Sequence, residues 1–149
     1  YTAVSYNTNQ KYSKTNSGSL KLSVLPIAEG EDLLSNTVGD NGRVGFQLEK
    51  EFLSKVNFNP LHFSQSPSIS TDVFNNDKKE HIVYLDIKDS QGGSIRISKT
   101  VEPYQWATLQ ASDLTKIQIS SIESIRLTTD LFNVFGSVEL YFSNLKMNP

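Results

Sequence analysis

Arginines, carboxylates and aromatics set on short alternating runs are the residues of this chain that could act on a ligand. His81-Ile82-Val83-Tyr84-Leu85-Asp86-Ile87 alternates, and so does Ser94-Ile95-Arg96-Ile97-Ser98, with Asp89-Ser90-Gln91-Gly92-Gly93 between them. Side chains on a strand point alternately to its two faces. Val83, Leu85 and Ile87 are therefore expected to face a core, with Ile95, Ile97, Ile125, Leu127, Leu140 and Phe142. Tyr84, Asp86, Arg96, Arg126, Glu139 and Tyr141 fall in the opposite phase. A loop centred on Gln91 places residue 86 across from residue 96, so Asp86 and Arg96 face each other on neighbouring strands. They form either a cross-strand ion pair or a site in which Asp86 orients the Arg96 fork toward a ligand hydroxyl or carboxylate. Trp106, the single tryptophan, is in phase with Tyr104 and Thr108. Packing at a strand start and stacking on a ligand are both open to it. Tyr141 is open to packing under a neighbouring turn as well as to contact with a ligand. Tyr1, Tyr6 and Tyr12 could line an edge, and nothing in the pattern places them.

The chemistry of these residues is hydrogen bonding and stacking, not bond cleavage. His62 and His81 are the two histidines, 19 residues apart, with no metal-ligand spacing around either. Each reads best as a polar residue at a strand edge. There is no cysteine, which removes disulfides, thiolate nucleophiles and Cys-ligated zinc. No GxSxG elbow and no Gly-rich phosphate loop is present. Glu29, Glu31 and Asp32 cluster in a loop where solvation accounts for them, and no carboxylate pair of glycosidase type stands out. The net charge is -2 and no basic run occurs, so no nucleic-acid partner is implied. No apolar run approaches the roughly 20 residues of a membrane span.

The elements that must position these residues are short strands. Besides the two above, Ser19–Val24, Arg43–Leu48, Ser68–Val73, Trp106–Gln110, Ser124–Thr128 and Ser137–Met147 read as strands, with Thr2–Tyr6 weaker. Asp40-Asn41-Gly42, Asn75-Asn76-Asp77 and the hairpin loop with its two glycines supply turn chemistry, the glycines for positive φ. Glu49–Val56 and Ala111–Ile117, the latter opened by a Ser112 or Asp113 cap, are expected as short helical connectors. Pro26–Gly42 is the longest irregular segment, a binding loop or a mobile one. The 149 residues make one domain, and eight or nine such strands predict an all-β sandwich of jelly-roll type. Both ends look like cuts within a longer protein.

Three patches in order carry a resemblance. They are Asn16-Ser17-Gly18-Ser19-Leu20-Lys21-Leu22; Ser70 to Asn76 followed by Tyr84 to Asp89; and Trp106-Ala107-Thr108-Leu109 with Ile122 to Leu127 and Val138 to Leu145. Together they resemble bacterial carbohydrate-binding modules with a galactose-binding-like jelly roll, and are similar to the N-terminal domains of some polysaccharide lyases. The resemblance implies a non-catalytic domain of a secreted or cell-surface protein. Such a domain holds a glycan for a catalytic domain of the same polypeptide and is expected to be monomeric. Tyr84, Asp86, Arg96, Trp106, Arg126 and Tyr141 are then the candidate sugar contacts, because flat rings cover the apolar side of a pyranose and planar polar groups meet its hydroxyls. Arg96, Arg126, Lys88 and Lys99 would serve an acidic glycan. Such modules often carry an Asp in the last strand that helps hold a structural calcium. Ser143 stands there instead, a poorer ligand for a hard cation, so no cofactor is expected and calcium at that place is in doubt. A spacer or docking sandwich without sugar binding is the rival reading.

Overall fold

The computed structural model describes residues 2–7, 11, 19–24, 43–51, 67–130 and 138–148. His62, Tyr1, Tyr12, the Pro26–Gly42 segment with its acidic cluster and Asp40-Asn41-Gly42 turn, and residues 52–56 of the first connector lie outside them. The strands are β1 (Thr2–Asn7), β2 (Ser19–Val24), β3 (Arg43–Glu49), β4 (Ser68–Asn75), β5 (His81–Asp89), β6 (Ser94–Val101), β7 (Trp106–Ala111), β8 (Ile122–Asp130) and β9 (Val138–Asn148). They form a five-stranded sheet in the order β1-β2-β9-β4-β7 and a four-stranded sheet in the order β3-β8-β5-β6. Every pairing is antiparallel. The all-β sandwich of the sequence reading is what the chain forms.

Alternation explains the layers. Val83, Leu85 and Ile87 on β5 are fully buried, as are Ile125 on β8, Leu22 on β2, Ile69 and Val73 on β4 and Leu140 on β9. They meet between the sheets with Leu109, Leu127 and Phe142 in one apolar cluster. Each fully buried aliphatic side chain contributes about 1.5–3 kcal/mol relative to an exposed one. Ile95 and Ile97 on β6 are only partly covered, because β6 is an edge strand.

The hairpin register is the one its loop demands, with Asp86 opposite Arg96 and Lys88 opposite Ser94. The two glycines of the loop have different reasons. Gly92 has φ +91, the left-handed region that glycine enters at little cost. Gly93 is needed for space: a Cβ there would collide with the Asp89 carboxylate and the Lys116 carbonyl oxygen. Positive φ for both glycines was the expectation, and it holds for Gly92 only.

The helical reading of Ala111–Ile117 is corrected. Strand β7 runs to Ala111, and the Asp113 carboxylate then accepts hydrogen bonds from the Thr115 backbone N–H at 3.1 Å and the Thr115 hydroxyl at 2.7 Å. An aspartate that bonds two residues ahead closes a turn in place of a helix start. The helical turn comes later, as a 3-10 segment at Ile119–Ser121. Of the first connector, Lys50 and Glu51 are helical. His81 is also corrected. It is not a polar edge residue but is 1% exposed, with Nε2 2.7 Å from Asp77 Oδ2.

Candidate functional site

Strands β3, β8, β5 and β6 carry a row of polar side chains across the outer face of the four-stranded sheet. In register they are Gln47, Arg126, Asp86 and Arg96. Adjacent strands lie about 4.8 Å apart, so four such residues span about 15 Å. The next row toward the hairpin is Glu49, Ser124, Lys88 and Ser94, and the next row the other way is Gly45, Thr128, Tyr84 and Ser98.

Asp86 is the anchor of the row. Its side chain is 10% exposed and accepts a hydrogen bond from Arg96 Nε at 2.5 Å, while Arg96 is 54% exposed. The Arg96 side chain makes no other hydrogen bond or ion pair among the described residues. Arg126 donates to Gln47 Oε1 through Nε at 3.3 Å and Nη2 at 3.0 Å, so a side-chain amide on the edge strand aims the second guanidinium. Tyr84 is half-buried and donates its hydroxyl to Asp130 Oδ2 at 2.9 Å. The Thr128 hydroxyl beside it is buried and has no hydrogen-bond partner among the described residues.

A small cleft is lined by Asp86, Lys88, Arg96, Ser124 and Arg126. It opens beside a groove of about 550 Å³ lined by Gln47, Glu49, Lys50, Glu51, Lys88, Glu123, Ser124 and Arg126. The two share Lys88, Ser124 and Arg126. The hairpin end of the face is braced from below by Asp89. Its carboxylate accepts the backbone N–H groups of Gln118 at 2.6 Å, Gly93 at 2.7 Å and Gln91 at 2.8 Å. The Gln118 bond foremost, then those from the loop, hold this carboxyl below its ordinary value against the opposing pull of burial.

The six sequence candidates divide between two faces. Tyr84, Asp86, Arg96 and Arg126 share the face just described. Trp106 and Tyr141 stand on the outer face of the other sheet, in one register row with Phe74 and Lys21. Trp106 lies outside the apolar core, half-buried, its ring tilted 47° against Phe74 at 5.3 Å. Tyr141 is 4% exposed and donates to Glu139 Oε2 at 3.1 Å. Burial works against the Glu139 charge. The Asn76 amide, Lys21 and the Tyr141 hydroxyl outweigh it and lower the carboxyl. That corner is a closed structural network. Lys99 also leaves the candidate face, since its ammonium donates to the Thr108 carbonyl on the other sheet at 3.2 Å.

The reading of single strands missed Gln47 and Ser124. Their phase was legible, but their neighbours are set by the β3–β8 and β8–β5 pairings, which no turn announces. It also passed over Tyr104, which is 58% exposed with φ +55 at the tip of the β6–β7 turn.

At Ser143 the last strand is locally irregular. The pairing of β4 with β9 shifts between Ser70 and Asp72, and Asn144 takes φ +56 there. The Ser143 carbonyl accepts the Thr71 hydroxyl at 3.2 Å, and the Asn144 amide donates to Asp72 at 3.2 Å. Among the described residues no three His, Cys, Asp or Glu side chains come together as a metal site, and no helix is long and apolar enough to cross a membrane.

No protein-family model matches the sequence, and no curated protein does. Solved structures do match the fold. An exo-β-agarase aligns over 100% of this chain with TM-score 0.61 and 14% identity, and this chain spans 23% of that one. A family 11 carbohydrate-binding module from Clostridium thermocellum, solved with a β-1,3-1,4-mixed-linked tetrasaccharide, aligns over 97% of this chain and 81% of its own, with TM-score 0.53 and 15% identity. The CBM22-1 xylan-binding domain from Paenibacillus barcinonensis aligns over 99% and 80%, with TM-score 0.53 and 14% identity. The structural neighbours of this sandwich thus include carbohydrate-binding modules with jelly-roll-like folds.

Proposed function

We propose that this domain is a non-catalytic carbohydrate-binding module that holds a glycan on the outer face of the four-stranded sheet. The observation that carries the reading is the row Gln47–Arg126–Asp86–Arg96, in which two guanidiniums are aimed by neighbouring acceptors beside an open groove. Planar donors fixed on rigid strands are what selects among sugar hydroxyls and substituents, because little ordering entropy is lost on binding. The likeness to carbohydrate-binding modules supports the same reading. In a galactose-binding-like module of a secreted or surface protein, such binding keeps a tethered catalytic domain close to a dense substrate by raising its effective concentration.

A screen of the 149-residue chain against plant, algal and host glycans tests this, followed by titration of each hit against Arg126→Ala and Trp106→Ala. Saturable binding lost in Arg126→Ala and kept in Trp106→Ala is the expected result. Hydrolysis or eliminative cleavage of a bound glycan would replace the binding module with an enzyme.

The spacer reading has one observation in its favour. Among the described residues the exposed large aromatic is Tyr104, which lies on the β6–β7 turn and not on the arginine face. Absence of binding to every glycan, with and without calcium, would favour a docking or spacer sandwich.

A further inference from the structure

The donors and acceptors of the small cleft are out of balance, and the imbalance selects a ligand class. Its lining holds three cationic side chains, Lys88, Arg96 and Arg126, against one carboxylate, Asp86. That is a local charge of +2 on a chain whose net charge is -2. Arginine and lysine only donate hydrogen bonds, whereas a sugar hydroxyl donates and accepts. A site for neutral sugar needs acceptors to match its donors. Here Asp86 has already spent acceptor capacity on Arg96 Nε. Neither the Nη groups of Arg96 nor the ammonium of Lys88 makes a hydrogen bond or ion pair with any other described residue. Both are exposed to solvent.

Sheet geometry holds these donors together. Lys88 is two residues along β5 from Asp86, so the two lie on the same face about 6.8 Å apart, and Arg96 and Arg126 flank Asp86 on either side. An acceptor-only group with several oxygens fits that arrangement, since it can take the Arg96 fork and the Lys88 ammonium at once. The adjoining groove adds Glu49, Glu51 and Glu123 against Lys50 alone beyond the shared Lys88 and Arg126, so cleft and groove together are neutral, with the positive charge at the cleft end and the negative charge at the groove end. An acid group is repelled from the groove's carboxylates and drawn to the cleft. The uncharged part of the same ligand can lie along Gln47 and Ser124.

Resting on the binding-module reading above, we infer that the glycan taken by this face is acidic, with a carboxylate or sulfate group seated in the cleft between Arg96, Lys88 and Arg126.

Calorimetric titration of the whole chain decides it. The probes are oligogalacturonate and its carboxyl-reduced form, sulfated galactan oligosaccharides and their desulfated form, and neutral xylo- and mixed-linked gluco-oligosaccharides. At least one acidic probe is expected to bind about tenfold or more tighter than its neutralised form, since charge-assisted bonds are lost with the acid group. Arg96→Gln and Lys88→Gln should each weaken it about tenfold, and raising the salt should weaken it further. Lys99→Gln removes the same charge away from this face and should leave affinity unchanged. Lys88 is exposed and makes no side-chain hydrogen bond or ion pair among the described residues, so its variant keeps the test valid if Arg96→Gln fails to fold around the orphaned Asp86. The carboxylate and sulfate arms identify which acid the cleft prefers. Equal binding of acidic and neutralised forms, or acidic binding indifferent to both variants, overturns this inference and leaves the binding module standing. Displacement by sodium sulfate as readily as by the oligosaccharide overturns it too, for the site would then hold an ion and not a sugar acid. Failure of every glycan to bind overturns both.

Discussion

Replacing Gly93 by alanine tests how the hairpin is held at the end of the candidate face. The added Cβ would fall on the Asp89 carboxylate and lie 2.6 Å from the Lys116 carbonyl oxygen, where ordinary contact begins near 3.4 Å. Something must therefore move by about 1 Å. Neither neighbour yields easily, because one is backbone and the other is pinned by the N–H groups of Gln91, Gly93 and Gln118. Overpacking of this kind costs about 1–3 kcal/mol, and the reduced freedom of the unfolded chain returns about 0.4–1 kcal/mol. The net loss is about 1–2 kcal/mol, or about 2–8 °C in Tm for a domain of this size. Thermal unfolding followed by circular dichroism reads it, with Gly92→Ala as comparator. Gly92 has φ +91 but no atom within 4 Å of its would-be Cβ, so only backbone strain of about 1 kcal/mol applies. The two glycines separate in the Asp89→Ala background, where Gly93→Ala should lose part of its cost and Gly92→Ala should lose less. A Gly93→Ala protein as stable as the parent would refute the argument that space, and not φ, requires this glycine.

Asp89 also predicts a pH dependence. Its folded carboxyl lies below the ordinary 3.8, so its stabilisation is complete above the unfolded value and is lost as pH falls through the lowered one. Acid unfolding should therefore be less steep below pH about 4 in Asp89→Asn than in the parent, as followed by circular dichroism. Tyr141→Phe removes one donor to Glu139 and should cost about 1 kcal/mol in urea unfolding, with glycan affinity unchanged because Tyr141 stands on the other sheet. Trp106 packs on Phe74 on that same face, so saturating ligand should leave its fluorescence unmoved. A large shift on binding would move the site to the five-stranded sheet.

The hairpin is fully legible in the sequence, since a loop centred on Gln91 and a period of two leave one register, the one observed at Asp86 and Arg96. Local turn chemistry and alternation set short-range pairings, and Asp86 and Arg96 are only 10 residues apart. Arg126 belongs to the same row only because β8 pairs with β5 across an intervening hairpin and connection, a choice made by core packing and not by any turn. For the same reason the phase of Trp106 and Tyr141 is legible in the sequence and their sheet is not: alternation tells which side of a strand a residue is on, but not which sheet the strand joins. The expected helix at Ala111–Ile117 failed on a local detail, the Asp113 carboxylate turning back to Thr115 before a helical turn could form.

Asp86 joins the structural and functional readings that the sequence left as alternatives. As an ion pair it is structural, for its nearly buried carboxylate needs the Arg96 Nε–H and would be costly to leave unpaired. The same bond spends one edge of the guanidinium and fixes the other, which turns a flexible exposed arginine into a directed fork. The carboxylate also cancels only one of the three positive charges around the cleft. An apolar residue at position 86 would leave Arg96 undirected and the cations repelling one another, and a second acid would neutralise the cleft further. One carboxylate among three cations is thus the arrangement that both completes the sheet and leaves a directed positive charge for a ligand to meet.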